Sequence, residues 1–331
     1  MSYRRAVSWL RSHLLRAVAL ALLISQATAL RAQTEVPLRA QTESPLRAVA
    51  VSPGIWALVG PIGGPSRDNQ ALNATYGVLA TPEGTILIDS GASAQGARLL
   101  ADMARQLTGQ PVRWVINTGS QHHRWLGNEH LRQSGAQIIA HRRTVQTQRA
   151  GAAAQIAELT TLLGDRFEGT LALHAERSVD DARSELTIGG LRIDLLDLGD
   201  AHFPGDVVVW LPASRTAFSG DLVYVERLLS LAPLSNGRSW LAAFERLAAL
   251  APARIVPGHG APTDLATAQA QTGDYLRFVV NGVARYAKEM AGVEAALAEL
   301  GAAPAFAQLA NFAQLHRANI NRAYLRAEAG D

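Results

Sequence analysis

The chain contains no cysteine. That excludes thiolate zinc sites, disulfides and a cysteine nucleophile, so any bound metal must be held by His, Asp or Glu. It does not decide between a reducing and an oxidising compartment. Serine acyl chemistry has no support, because neither a Ser-x-x-Lys nor a Gly-x-Ser-x-Gly signature is present. No Gly-rich phosphate loop appears. Histidine is used sparingly, nine times in 331 residues. No apolar run reaches the roughly 20 helical residues needed to span a bilayer.

What is present suits a soluble globular protein. The chain is 48% hydrophobic and 18% charged, enough to bury a sizeable core without staples. A pI of 9.6 invites a nucleic-acid reading. However, Arg4, Arg5, Arg11 and Arg16 lie in a first segment that has no acid, and without residues 1–29 the formal charge falls from +3 to −1. The remaining charges are interspersed, so nucleic acid is discounted as a partner.

Residues 1–29 read as a secretory signal peptide. An Arg-rich start is followed by the short apolar run AVALALLI at 17–24 and by Ala27-Thr28-Ala29, a small-residue cleavage pattern. The expectation is export to the periplasm with cleavage near Ala29 and no stable membrane span. The Arg4-Arg5 pair leaves the twin-arginine route open beside the general one. Residues 30–50 read as a flexible linker, because LRAQTEVP, LRAQTESP and LRA repeat with a period of eight.

Residues 51–265 carry regular strand and helix signals. Residues 76–80 and 85–88 flank Pro82-Glu83-Gly84 as a hairpin, and 184–188 and 191–196 flank Gly189-Gly190 as a second. Helical spacing covers 93–107, 142–163 and 240–250, and further strands are expected at 112–116, 137–140, 206–211, 216–218 and 254–256. Two such runs predict an α/β architecture of two sheets covered by helices. Residues 266–331 read as a helical extension in which Phe306, Leu309, Phe312 and Leu315 form one apolar stripe.

The organising stretch is 111–130, PVRWVINTGSQHHRWLGNEH. A buried strand breaks at Asn117, Thr118 and Gly119, then a loop carries His122, His123 and Arg124 before a helix. Three later strand ends supply candidate partners: His202 in DAHFPGD, Asp221 in FSGDL and His259 in PGHGAP. Imidazole and carboxylate suit zinc, with iron or manganese as lesser options. His130, His141 and His174 read as supporting or surface residues, and Trp125 and Trp210 as core.

The order of these segments resembles the metallo-β-lactamase superfamily over residues 51–264. Residues 85–91 (TILIDSG) are similar to that family's strand ending in Asp and a turn. Residues 117–128 sit where it has a His-x-His-x-Asp-His loop. His202 with Gly205-Asp206, Ser219-Gly220-Asp221, and Pro257-Gly258-His259-Gly260 match the later segments. The tail NFAQLHRANINRAY resembles periplasmic zinc metallohydrolases linked to quinoprotein and sulfur-oxidation systems. The resemblance implies a four-layer αββα sandwich with a C-terminal helical extension.

The metal loop departs from the family pattern. Aligned without a gap on Gly127-Asn128, its four ligand places hold Gly119, Gln121, His123 and Arg124. Slipped by one, they hold Thr118, Ser120, His122 and His123. Either way the first two histidines are missing, and the first metal position keeps only His202. The slipped register gives one zinc a set of His122, His123, Asp221 and His259. In the ungapped register Arg124 would oppose a cation if it pointed inward.

The resemblance thus implies a metal-dependent hydrolase with one zinc, whose activated water attacks an ester, amide or thioester-type bond of a small-molecule substrate. Asp221 would ligate and orient, His202 would be a ligand or acid/base, and Arg124 would bind a substrate anion from the rim. Asp89 would orient a metal-ligating histidine. The alternative is a metal-free, non-catalytic periplasmic binding or accessory protein on the same fold, with a protein partner.

Overall fold

The computed structural model describes residues 44–330. The expected signal peptide and most of the repeat linker lie outside them. Among the described residues, twelve strands form two sheets. The first has seven strands in sequence order: β1 (Arg47–Ser52), β2 (Ile55–Val59), β3 (Thr75–Thr81), β4 (Gly84–Ile88), β5 (Val112–Asn117), β6 (Gln137–His141) and β7 (Arg177–Val179). The second runs β12 (Arg254–Val256), β11 (Thr216–Phe218), β10 (Val208–Leu211), β9 (Leu191–Leu196), β8 (Arg183–Ile188). The four-layer αββα sandwich with helical C-terminal region expected above is the fold observed.

Alternation along each strand dictates the layers, since successive side chains point to opposite faces. Ile86 and Ile88 of β4 and Val209 and Leu211 of β10 face inward, forming with Phe218, Ile116 and Ile139 the core between the sheets. Leu87 faces the other way, onto a layer built around helix α1 (Ala94–Thr108) with Leu100 and Met103. Ser93 starts α1 by accepting from the Gly96 N–H at 3.0 Å, which satisfies one of the orphan donors of the first turn. On the far side, Val208 and Trp210 face helix α5 (Gly237–Ala249) and the C-terminal helices.

The short helices α2 (His122–Trp125) and α3 (Asn128–Gln133) follow β5, and α4 (Arg142–Leu163) follows β6. The tail contains α6 (Leu265–Ala268), α7 (Asp274–Lys288), α8 (Val293–Leu300) and α9 (Phe312–Glu328). It shares a core with α5 and the second sheet through Tyr275, Leu276, Val279 and Ile320.

Three expectations need correction. The 30–50 linker ends early: Arg47–Ser52 is an edge strand paired antiparallel with β2, and Leu46 is already buried. Its resemblance to the preceding repeats hid an alternating strand. His122, His123 and Arg124 occupy a helical turn, not a loop. The stripe from Phe306 to Leu315 is not one helical face. Phe306 and Leu309 are buried from turns after Pro304, and the helix starts only at Phe312, behind Asn311 at φ 65°.

Candidate functional site

Strand ends deliver the site. β4 and β5 run parallel, as do β11 and β12. Their carboxyl ends present Asp89, then Thr118 and Gly119, then Asp221, then Gly258 and His259. Such edges are where ligands bind in α/β sheets. Asp89 holds φ 65°, a left-handed conformation that Asp tolerates better than most residues. Its carboxylate accepts from the Thr118 N–H and hydroxyl, both at 2.7 Å.

Arg124 is completely buried at the centre of this rim. Its Nε and Nη2 fork Asp221, at 3.1 Å to Oδ2 and 2.6 Å to Oδ1. Nη2 also donates to the Gly258 carbonyl at 2.9 Å. Nη1 donates to Asp89 at 2.9 Å and to the Thr75 carbonyl at 3.2 Å. A guanidinium has five N–H donors, and all five are used. This overturns the rim role expected for Arg124, because no donor is left for a substrate. It also corrects Asp89, which orients Arg124 and Thr118 rather than a histidine. Glycine is required at 258: a Cβ there would lie 2.7 Å from Arg124 Nη2 and 2.4 Å from the Gly220 carbonyl.

Three ligand-capable residues converge against this ion pair. Atoms of His123, Asp221 and His259 all lie within 4.8 Å of one another, and all three residues are buried. His123 Nε2 is 3.3 Å from Asp221 Oδ2, and His259 Nε2 is 3.2 Å from Oδ1. Burial alone would raise the Asp221 carboxyl, but the Arg124 guanidinium overrides it and holds that carboxyl well below the usual range. Burial pushes His259 down to about 4 and His123 well below its ordinary value, so both are neutral near pH 7. Burial raises Asp89 to about 6 despite Arg124.

The tautomers matter. His259 Nδ1 lies 2.8 Å from the Asn73 carbonyl, which can only accept, so Nδ1 carries the proton. The Nε2 lone pair of the neutral ring therefore faces the Asp221 oxygen. Lone pair against carboxylate is repulsive unless a cation lies between them. Neither ring nitrogen of His123 has a hydrogen-bond partner among the described residues. Two neutral imidazoles and one carboxylate are a donor set that fits zinc. Asp221 retains lone pairs beyond the two that receive Arg124.

His122 and His202 stay outside this group. The His122 ring meets that of His123 edge-on at 5.1 Å, and its Nδ1 has no hydrogen-bond partner among the described residues. Burial lowers it to about 4. His202 packs among Phe203, Tyr224 and Trp240, with Ser235 Oγ 3.5 Å from its Nδ1. Gly119 offers no ligand, and Asp206 presses on it: Oδ1 lies 2.6 Å from where a Cβ would stand. Burial raises the Asp206 carboxyl well above its usual value.

Several participants carry no motif. Asn73 acts through its backbone, Thr75 through its carbonyl, and Tyr224 by stacking on His259 at 4.7 Å between ring centroids. Arg227 bridges the Gly63 carbonyl at 3.1 Å and lies 3.5 Å from His259 Nδ1.

A family model described as the metallo-beta-lactamase superfamily matches residues 70–259. No curated protein matches in sequence. Among solved structures, a metallo-beta-lactamase from Pontibacter korlensis is 20% identical with a TM-score of 0.56, covering 70% of this chain and 99% of that one. The FIM-1 enzyme from Pseudomonas aeruginosa in its mono-zinc form is 18% identical with a TM-score of 0.56, covering 72% and 98%. The DIM-1 metallo-beta-lactamase is 19% identical with a TM-score of 0.55, covering 70% and 97%. At these identities the likeness is one of fold.

Proposed function

The chain belongs to the metallo-beta-lactamase superfamily, and on that premise we propose that it is an exported hydrolase holding one zinc ion through His123, Asp221 and His259. The observation that carries this reading is the fixed tautomer of His259, whose Nε2 lone pair faces a carboxylate at 3.2 Å. A cation resolves that repulsion. Gly119 at the first metal position, with Asp206 pressed against it, supports one ion rather than two.

When bound, zinc supplies an activated water with a pKa of about 7 and polarises a carbonyl or phosphoryl oxygen. The chain's own residues provide the rest. Arg124 fixes the Asp221 carboxylate by a bidentate fork, and Asp89 fixes Arg124 from behind. Asn73 sets the His259 proton on Nδ1, as second-layer partners of metal-bound histidines do. Buried neutral imidazoles keep their lone pairs for ligation across the physiological range. An ester, amide or thioester-type bond in a small molecule is the substrate class we assign.

Export rests on the signal-peptide pattern in 1–29, and the periplasmic reading on that pattern together with the tail resemblance. No helix among the described residues is long and apolar enough to cross a membrane.

One observation favours a second reading. Arg124 already neutralises Asp221, so the same fold could serve as a metal-free accessory protein. Elemental analysis separates the two. Purified protein should carry about one zinc per chain, and His259→Ala should lose it. A metal-free protein whose stability ignores chelator would favour the second reading.

A further inference from the structure

Asp206 is a buried acid that belongs neither to the three proposed zinc ligands nor to the Arg124 network. It is 4% exposed, in the turn that leads into β10. One of its oxygens is used: Oδ2 accepts from the Phe203 N–H at 2.8 Å. Oδ1 is buried and has no hydrogen-bond partner among the described residues. Nearly all buried polar atoms in folded proteins are paired, so an orphan of this kind points to a missing partner. Burial pushes this carboxyl well above its usual value, and the charges of Asp221 and Asp200 push it further. The Phe203 N–H and Arg124 oppose that rise without cancelling it. The acid is therefore neutral near pH 7. Since Oδ2 receives an N–H, the proton sits on Oδ1, and that atom is a donor without an acceptor.

Its surroundings place Oδ1 beside the candidate site. Oδ1 lies 2.6 Å from where a Cβ on Gly119 would stand, and Arg124 Cγ lies 3.6 Å from the same point. Gly119 is the first ligand place of the ungapped alignment, so Oδ1 stands where a metal-binding side chain would leave the backbone. The next residue, Val207, donates its N–H to the Thr118 carbonyl at 2.8 Å. Thr118 in turn is bonded to the Asp89 carboxylate that holds Arg124. We propose that Asp206, as a neutral acid, donates a hydrogen bond from Oδ1 to the carbonyl oxygen of the substrate at the first metal position, where Gly119 offers no imidazole. This deepens the hydrolase reading and rests on it. When the oxygen of water adds to an acyl carbon, the carbonyl oxygen gains negative charge, and a fixed donor in a dry site stabilises that charge more than the ground state. A carboxylic acid kept neutral by its surroundings suits this task. The proton stays on Asp206 throughout, and no leaving group is protonated by it.

Asparagine separates this role from others, because its amide offers an oxygen to the Phe203 N–H and an N–H donor where Oδ1 stood. With zinc-loaded protein and p-nitrophenyl acetate, Asp206→Ala should lower kcat about a hundredfold, with little change in KM and the zinc retained. Asp206→Asn should lower kcat less than about tenfold. Wild type should lose activity at high pH, where Asp206 ionises, and Asp206→Asn should keep its activity there. Equal losses in the two variants, or Asp206→Ala as active as wild type, would overturn the proposal and leave the hydrolase reading in place. No turnover by zinc-loaded wild type would end both. A second measurement needs neither metal nor turnover. Infrared difference spectra of metal-free wild type against Asp206→Asn at pH 7 should show one carboxylic acid carbonyl band. A carboxylate band in its place would overturn the proposal.

Discussion

At the scale of single residues, Arg124 decides what the site can be. It joins two buried carboxylates, Asp89 and Asp221, that would otherwise share a dry rim without a counter-ion. Removing one partner of such a network leaves uncompensated buried charge, at a cost of about 3–5 kcal/mol. Arg124→Met should therefore lose about that much stability in urea denaturation. Arg124→Lys should recover only part of it, since an ammonium cannot fork Asp221. Titration of metal-free protein gives a second prediction. His122 and His259 stand near 4 in the fold, below the ordinary value of 6.5. The unfolded chain binds these protons first, so stability falls as pH drops from 6.5 toward 4. Asp89, raised to about 6, acts in the opposite direction, because its protonation favours the fold below that pH. The two histidines outweigh it, and these three groups together should cost about 2 kcal/mol between pH 7 and pH 5 by chemical denaturation. A flat profile would show that these rings do not remain neutral in the fold.

Residue identity was legible where a strand end and a turn coincide. Asp221 and His259 stand out beside Ser-Gly and Pro-Gly, and both reach the site. Arg124 was legible as an anomaly but not in direction, because the helical turn that buries it begins where a loop was expected. Asn73 was invisible, since a backbone carbonyl acts whatever side chain it carries.

At the scale of elements, the tail is locked to the body by a closed polar network. Asn319 of α9 accepts from the Leu231 N–H at 2.8 Å and donates to the Leu229 carbonyl at 2.8 Å. It also donates to the Tyr275 hydroxyl at 2.9 Å. Tyr275 pairs with His316 Nδ1 at 3.0 Å, and His316 Nε2 with the Leu300 carbonyl at 2.9 Å. Asn319→Leu would strand the Leu231 N–H and the Leu229 carbonyl in the core, each worth about 1–3 kcal/mol. A lowered urea midpoint with an unchanged slope is the expected result. Gly258→Ala should cost about 1–3 kcal/mol through overpacking against Arg124 and Gly220. Apolar runs bounded by turn residues, and helical spacing, made most elements readable beforehand. The 304–311 turns were not, because apolar residues three apart look the same whether turns or a helix bury them.

For the whole molecule, two sheets and their helices place the strand ends of both halves at one rim. The architecture needs only period-two patterning and short turns, which is why it was readable from sequence alone. The occupant of the rim depends on distances between segments far apart in the chain, which no local pattern carries. The central claim is that a cation belongs between His123, Asp221 and His259. Anomalous diffraction at the zinc edge, from crystals of protein purified without added metal, tests it directly. The account predicts one peak within bonding distance of all three side chains, with Arg124 still forking Asp221 from the other side. No peak at that point, with the Arg124 fork intact and the fold unchanged, would contradict it.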